Sequence, residues 1–255
     1  MGNRIDLNCD MGESFGVYSF GSDEKLMQYI SSANIACGAH AGDPHVMNHT
    51  VQLAKQYNVF IGAHPGFPDL AGFGRRMIEC SPTEIYQMVV YQIGSLQAFC
   101  TIHNVSMTHV KPHGALYNFA ARNQEAANAI AKAVYDLNPK LILFGLAGSE
   151  LIAAGQAIGL QIASEVFADR TYQPDGSLTP RSEKGALIED ATEAVKQVRD
   201  MVQHGVVEAV NGEKIAIEAD TVCIHGDGNH ATEFVKLLTD TLVDAGIAIK
   251  SIGEQ

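Results

Sequence analysis

Side chains that can take or give a proton stand where apolar runs end: Asp10, Glu13, His40, His64, Lys111, His113, Glu165, His225 and Asp227. Carboxylates, imidazoles and an amine gathered in one place would supply a general base and a general acid near neutral pH. One histidine after a strand is usually structural, so the weight lies in the repetition at successive strand ends. The densest part is the opening run IDLNCDMGESFG, residues 5–16. Strand alternation puts Asp6, Asn8 and Asp10 on one face, with Ile5, Leu7 and Cys9 on the other. Taken alone this reads as a half-exposed edge strand with its polar side in water. Inside a barrel the same face turns inward, with Asp10 nearest the working end and Asp6 deepest. Asp6 and Asn8 are then expected in a buried network, because buried polar groups must be paired.

Of the 17 basic residues, Arg75, Arg76, Lys111, Arg170, Arg181 and Lys184 fall in connecting segments, which allows a local pocket for a small anion. The formal net charge of −12 argues against nucleic acid or an anionic membrane as partner, since both would be repelled at long range. No run approaches the roughly 18 apolar residues of a membrane span, and polar Asn3, Arg4 and Asp6 precede the first apolar run. Cys9, Cys37, Cys80, Cys100 and Cys223 show no CxxC spacing and read as reduced thiols. The expectation is a cytoplasmic protein, neither secreted nor membrane-spanning.

These residues need a scaffold that brings strand ends together. After the opening strand, strands are predicted over 34–37, 59–63, 107–112, 141–146, 160–167 and 221–225. Helices are predicted over 22–31, 43–58, 81–104, 124–137, 149–159, 186–204 and 231–246. Asp43 followed by Pro44 marks one helix start, and SPTE at 81–84 reads as a capping box. Asn211-Gly212 between 206–210 and 213–218 predicts a β-hairpin, with a short extended run over 247–250 at the close. With 255 residues, 46% of them hydrophobic, and no composition break, one domain over 1–255 is expected. About seven βα units predict a closed α/β barrel related to the (β/α)8 fold; a doubly wound sheet is the alternative. Polar residues alternating within the strands favour the barrel. Segments 64–80 and 168–185 are too rich in Gly and Pro to be regular, and Gly66, Gly72, Gly74 and the Asp175-Gly176 turn would let them close over the site. Rigid packing on the rim is the other reading.

The stretches DLNCDMGESFG, ANIACGAHAGDP, GAHPGFPDLAGFGRR, VKPHGALYN, EVFADRTY and IHGDG resemble the LamB/YcsF family, and the resemblance covers essentially the whole chain. It implies a barrel of the glycoside hydrolase and deacetylase kind. It also implies a hydrolase acting on a cyclic amide: ring opening of 5-oxo-L-proline to L-glutamate, as the A subunit of an ATP-hydrolysing 5-oxoprolinase with subunits B and C as partners. On that resemblance, Lys111, Arg170 and Arg75 or Arg76 would neutralise phosphate oxygens of ATP. No GxxxxGK[ST] loop occurs. GDGNHA, with Gly226 and Gly228, is expected instead as a helix N-terminus able to receive phosphate.

Two other classes stay open. Asp10 with His40, His45 or His49 resembles the aspartate and histidine set of metal-dependent deacetylases, which would make a divalent metal the cofactor of an amidase-type hydrolase. His45 and His49, spaced i, i+4, are expected to be solvated, and no metal ligand is assigned. The third class is a non-catalytic protein that binds a lactam.

Overall fold

The structure is a computed structural model that describes residues 4–224 and 231–254. His225, Gly226, Asp227 and Gly228 lie outside the described residues. Seven parallel strands form a closed barrel: β1 (Arg4–Met11), β2 (Ser32–Ala36), β3 (Phe60–His64), β4 (Met107–Val110), β5 (Ile142–Leu146), β6 (Gln161–Phe167) and β9 (Thr221–Ile224). Closure comes from β9 pairing with both β6 and β1, in the registers Phe167↔Cys223 and Asn8↔Cys223. A two-residue strand, β10 (Ala248–Ile249), pairs in parallel with the first two residues of β1. A doubly wound sheet would have left β1 and β9 unpaired with one another.

Alternation explains the barrel's two surfaces. Leu7, Cys9, Ala33 and Ile35 are buried in the main apolar core that the barrel shares with its helices, while Asp6, Asn8, Ser32 and Asn34 are buried at the intervening positions. Each large aliphatic side chain so buried contributes about 1.5–3 kcal/mol. A second, small apolar cluster of Ile142, Phe144 and Ala163 is separate from that core. At β3 and β4 the register slips between Ile61 and Gly62, so that Thr108 is extra and its hydroxyl donates to the Ile61 carbonyl (3.0 Å). Gly62 is required here, because a β-carbon would collide with the His109 ring.

The helices α1 (Asp23–Leu26), α2 (Pro44–Tyr57), α3 (Pro82–Ile102), α4 (Gly114–Ala120), α5 (Gln124–Leu137), α6 (Glu150–Ile158), α7 (Ala191–His204) and α8 (Ala231–Asp244) surround the barrel. Asp43 caps α2 by accepting from the His45 and Val46 amides, and the Ser81/Glu84 capping box of α3 is formed. Three expectations are corrected. The helix expected over 22–31 is a single turn. The helix expected from 186 starts at Ala191 because residues 186–188 pair back onto the irregular segment through Ile188 N–H to the Asp169 carbonyl (2.9 Å), leaving Asp190 as the cap. Helix α4, seven residues long, was not expected at all.

The hairpin β7 (Val206–Glu208) and β8 (Lys214–Ala216) forms around Asn211-Gly212. Ala209 pairs with Glu213, so the loop has three residues, and Gly212 (φ 84°) supplies its left-handed position. Among the described residues, no helix is long and apolar enough to cross a membrane, and all five cysteines are free.

Candidate active site

The inward face of β1 builds a polar network from the barrel floor upward. Ser31 and Ser32 hydroxyls donate to Asp6 Oδ1 (2.6 and 2.7 Å), and Thr221 donates to its Oδ2. One level up, Asn8 Nδ2 donates to Glu165 Oε1 (3.0 Å) and Thr221 Oγ1 (2.7 Å), and Asn34 Nδ2 donates to Asn8 Oδ1 (2.7 Å) and Asp10 Oδ1 (2.9 Å). Asn34 Oδ1 can only accept, so His109 carries its hydrogen on Nε2 (2.9 Å). Burial pushes the His109 pKa down to about 3, and its neutral ring stacks on Phe144. Asp6 and Asn8 therefore belong to a paired interior, as expected, and do not reach the cavity.

Above this network sits Lys111, directly after β4 and 2% exposed. Its ammonium donates to Asp10 Oδ1 and Asn8 Oδ1 (both 3.0 Å), approaches Cys223 Sγ at 3.1 Å and pairs with Glu165 Oε1 at 2.7 Å. Burial alone would strip its proton, but Asp10, Cys223 and Glu165 hold it well above the ordinary lysine range. Burial likewise opposes charge on Asp10, yet His64 and Lys111 keep that carboxyl well below its usual range. Asp10 Oδ2 faces His64 Nε2 at 3.2 Å. The site thus holds an ionised carboxylate between an ammonium and an imidazole.

Three histidines from three strand ends meet there. The His40 and His113 rings stack at 3.7 Å and 4°, and His64 stands edge-on to both. His64 Nδ1 donates to the Lys111 carbonyl (2.7 Å) and His113 Nε2 to the Phe73 carbonyl (2.8 Å). His40 Nε2 lies 3.1 Å from Glu13 Oε1. Burial holds His40 and His113 well below the ordinary histidine pKa, helped by neighbouring imidazoles. Burial also opposes protonation of His64, but Asp10 raises it. Close packing is made possible by glycine. A β-carbon on Gly66 would stand 2.8 Å from His40 Nδ1, and one on Gly74 (φ +63°) 2.7 Å from His40 Cβ and 2.8 Å from His113 Cδ2. Gly66 is further locked by reciprocal bonds with the Gln92 amide, both 2.9 Å.

Asp10, Glu13, His64, Lys111 and His113 line a cavity of about 640 Å³, with Arg75 and Arg170 also on its wall. The sequence expectation is corrected at several positions. Glu165 lies under Lys111 as its buried counter-charge and does not line the cavity. His40 stands behind His113. Arg76 pairs with Asp69 on the outside, away from the cavity. Arg170 spends Nε and an Nη on the Ala186 (3.3 Å) and Thr179 (2.5 Å) carbonyls, so part of its donor set fixes the loop. His45 and His49 are exposed on α2, as expected. Gly66, Gly72 and Gly74 are packing positions in this structure. Arg181, one of the expected connecting-segment cations, lines the cavity, and so do residues the strand-end pattern does not include: Tyr117, Asn118 and Arg122 from α4 and its end, with Phe20 and Phe73. Their signal is the spacing 117, 118, 122 on and just after a helix too short for periodicity to reveal.

The model of the LamB/YcsF family matches residues 5–255. A relative from Geobacillus thermodenitrificans, named as the A subunit of 5-oxoprolinase, is 63% identical over 251 residues, covering 98% of both chains. One of the same name from Bacillus subtilis is 58% identical over 252 residues, covering 99% of this chain and 98% of its own. The crystal structure of a lactam utilization protein from Thermus thermophilus superimposes with a TM-score of 0.93 at 44% identity, covering 98% of this chain and all of that one.

Proposed function

The chain belongs to the LamB/YcsF family, and on that premise we propose that it is the A subunit of an ATP-hydrolysing 5-oxoprolinase, opening 5-oxo-L-proline to L-glutamate together with subunits B and C. The near-full-length identity to relatives named for that same subunit carries this reading. The cavity supports it chemically. A lactam is a poor electrophile, and water opens it only if the carbonyl is activated and a proton is removed from the attacking water. Phosphorylation of the amide oxygen by ATP would supply the activation; in the balance, lactam, ATP and two waters become glutamate, ADP and phosphate. Arg75, Arg122, Arg170 and Arg181 around the cavity suit the carboxylate of the lactam and transferred phosphate oxygens. Asp10, Glu13, His64 and His113 line the cavity as the pool from which a general base and acid would come, and Lys111 fixes the charge of Asp10.

The test is turnover of 5-oxo-L-proline with ATP by this chain alone and by the mixture with its partner subunits. Turnover and phosphate release only in the mixture are expected; activity of the chain alone on an unactivated amide or acetylated sugar would overturn the reading. Asp10→Asn in the mixture is expected to lower turnover by about 10²–10⁴-fold, the usual worth of a positioned acid or base. Full turnover would remove Asp10 from the chemistry and, with binding retained, favour a lactam-binding role without catalysis.

A further inference from the structure

The histidine hydrogens point away from the cavity. The carbonyls of Lys111 and Phe73 only accept, so His64 carries its hydrogen on Nδ1 and His113 on Nε2. The remaining nitrogens, His64 Nε2 and His113 Nδ1, face one another at 2.9 Å. Two lone pairs this close repel, so a cation lies between them, either a proton on His64 Nε2 shared with Asp10 Oδ2 (3.2 Å) or a metal ion. Glu13 Oε1 completes the group at 3.5 Å from His113 Nδ1. One donor atom from each of Glu13, His40, His64 and His113 falls within 4.8 Å of the others. A tetrahedral ion with bonds of about 2.0–2.1 Å sets its ligand atoms roughly 3.4 Å apart, close to these spacings.

The stacking decides which groups can bind. An ion in the plane of the His113 ring lies far out of the plane of His40, 3.7 Å away and parallel to it. His40 Nδ1 is buried with no partner, so its hydrogen belongs on Nε2, donated to Glu13. Every prospective ligand is then oriented by an outer hydrogen bond, as metal-binding side chains are: His64 by the Lys111 carbonyl, His113 by the Phe73 carbonyl and Glu13 by His40. On the cavity floor the carboxylates of Asp10, Glu13 and Glu165 outnumber the ammonium of Lys111, which favours a cation there, with Arg75 and Arg170 on the cavity wall.

We infer that Glu13, His64 and His113 form a three-ligand site for a first-row divalent transition metal such as zinc or cobalt, with a fourth position facing the cavity. Two imidazoles and one carboxylate suit such ions and not magnesium or calcium, which take oxygen sets. The inference deepens the reading of the same cavity but is measured without turnover.

The full chain, prepared without a histidine tag and stripped by a chelator, is titrated with Zn²⁺ and with Co²⁺ by calorimetry, and Co²⁺ is followed by its visible absorption. One ion per chain is expected, with the absorption of a four-coordinate nitrogen and oxygen site and a raised melting temperature. Glu13→Gln and His64→Ala are expected to abolish the site, His40→Ala to weaken it by about 10–100-fold, and the His45→Ala/His49→Ala pair to leave it intact. Should His64→Ala not fold, the partly exposed, isosteric Glu13→Gln decides. Absence of binding, binding unchanged in folded Glu13→Gln, or loss in the His45/His49 pair overturns the inference. A chain that binds metal but never opens the lactam in the mixture overturns the proposed function alone; full turnover in the mixture by a chain that binds neither Zn²⁺ nor Co²⁺ overturns this inference alone.

Discussion

Lys111 is the residue on which the charge of the cavity floor turns. It is nearly inaccessible and touches Asp10, Glu165 and Cys223, so removing it leaves two carboxylates buried against one another. Breaking a buried ion pair from one side costs about 3–5 kcal/mol, more than the pair gains when intact. Lys111→Met is therefore expected to lose about 3–5 kcal/mol in urea unfolding, and Lys111→Met/Glu165→Gln to recover part of it, because the second change removes one orphaned charge. A loss below about 1 kcal/mol would mean that water reaches the network. The sequence placed Lys111 and Glu165 at strand ends as separate candidates. That one neutralises the other depends on β4 and β6 facing each other across the interior, which no spacing within either strand encodes.

At the scale of elements, the segment between β3 and α3 is held by contacts its glycines permit. Ala115 N–H donates to the Gly74 carbonyl (2.9 Å), and Asp69 accepts from Gly72 N–H and pairs with Arg76. Gly74 combines a left-handed backbone with two histidines against its missing side chain, whereas Gly176 is left-handed with nothing within 4 Å. Gly176→Ala is expected to cost about 1 kcal/mol for the backbone alone. Gly74→Ala should cost about 1–3 kcal/mol more, from overpacking, and also lower turnover by displacing His113. Equal melting temperatures for the two variants would refute the packing role. Glycine in the sequence signalled irregular backbone correctly, but the same letter serves a hinge and a close contact. Helix α4 leaves no periodic signal for a related reason: seven residues after a proline hold too few turns for a periodic pattern.

At the scale of the whole molecule, an acidic chain surrounds one cavity with arginines. Arg75, Arg122 and Arg181 reach the surface, Arg170 is buried, and all line it. The net charge of −12 would repel a small anion at long range, and this local reversal offers it a docking point. Arg122→Ala/Arg181→Ala is expected to raise the KM for an anionic substrate about tenfold or more, the worth of a lost charge-assisted bond, with a smaller change in kcat. The difference from the native chain should shrink in high salt, since contacts at an exposed rim are screened. An unchanged KM would place the anion elsewhere.

Order along the chain determined the barrel: strands alternating with helices must pair in parallel, and polar residues alternating within them must face an enclosed interior. Local chemistry likewise determined the caps at Asp43 and Ser81, since each needs only residues within one turn. The strand-end clustering of Asp10, Glu13, His64, Lys111 and His113 was legible for the same reason. Tertiary structure alone decided that His40 stacks behind His113, that Glu165 lies beneath Lys111, that Arg76 turns outward to Asp69, and that Arg122 and Arg181 reach the cavity. Each of those outcomes is a contact between segments distant in sequence or a loop packed onto the rim. Direction in space, unlike periodicity, is fixed only when the barrel closes.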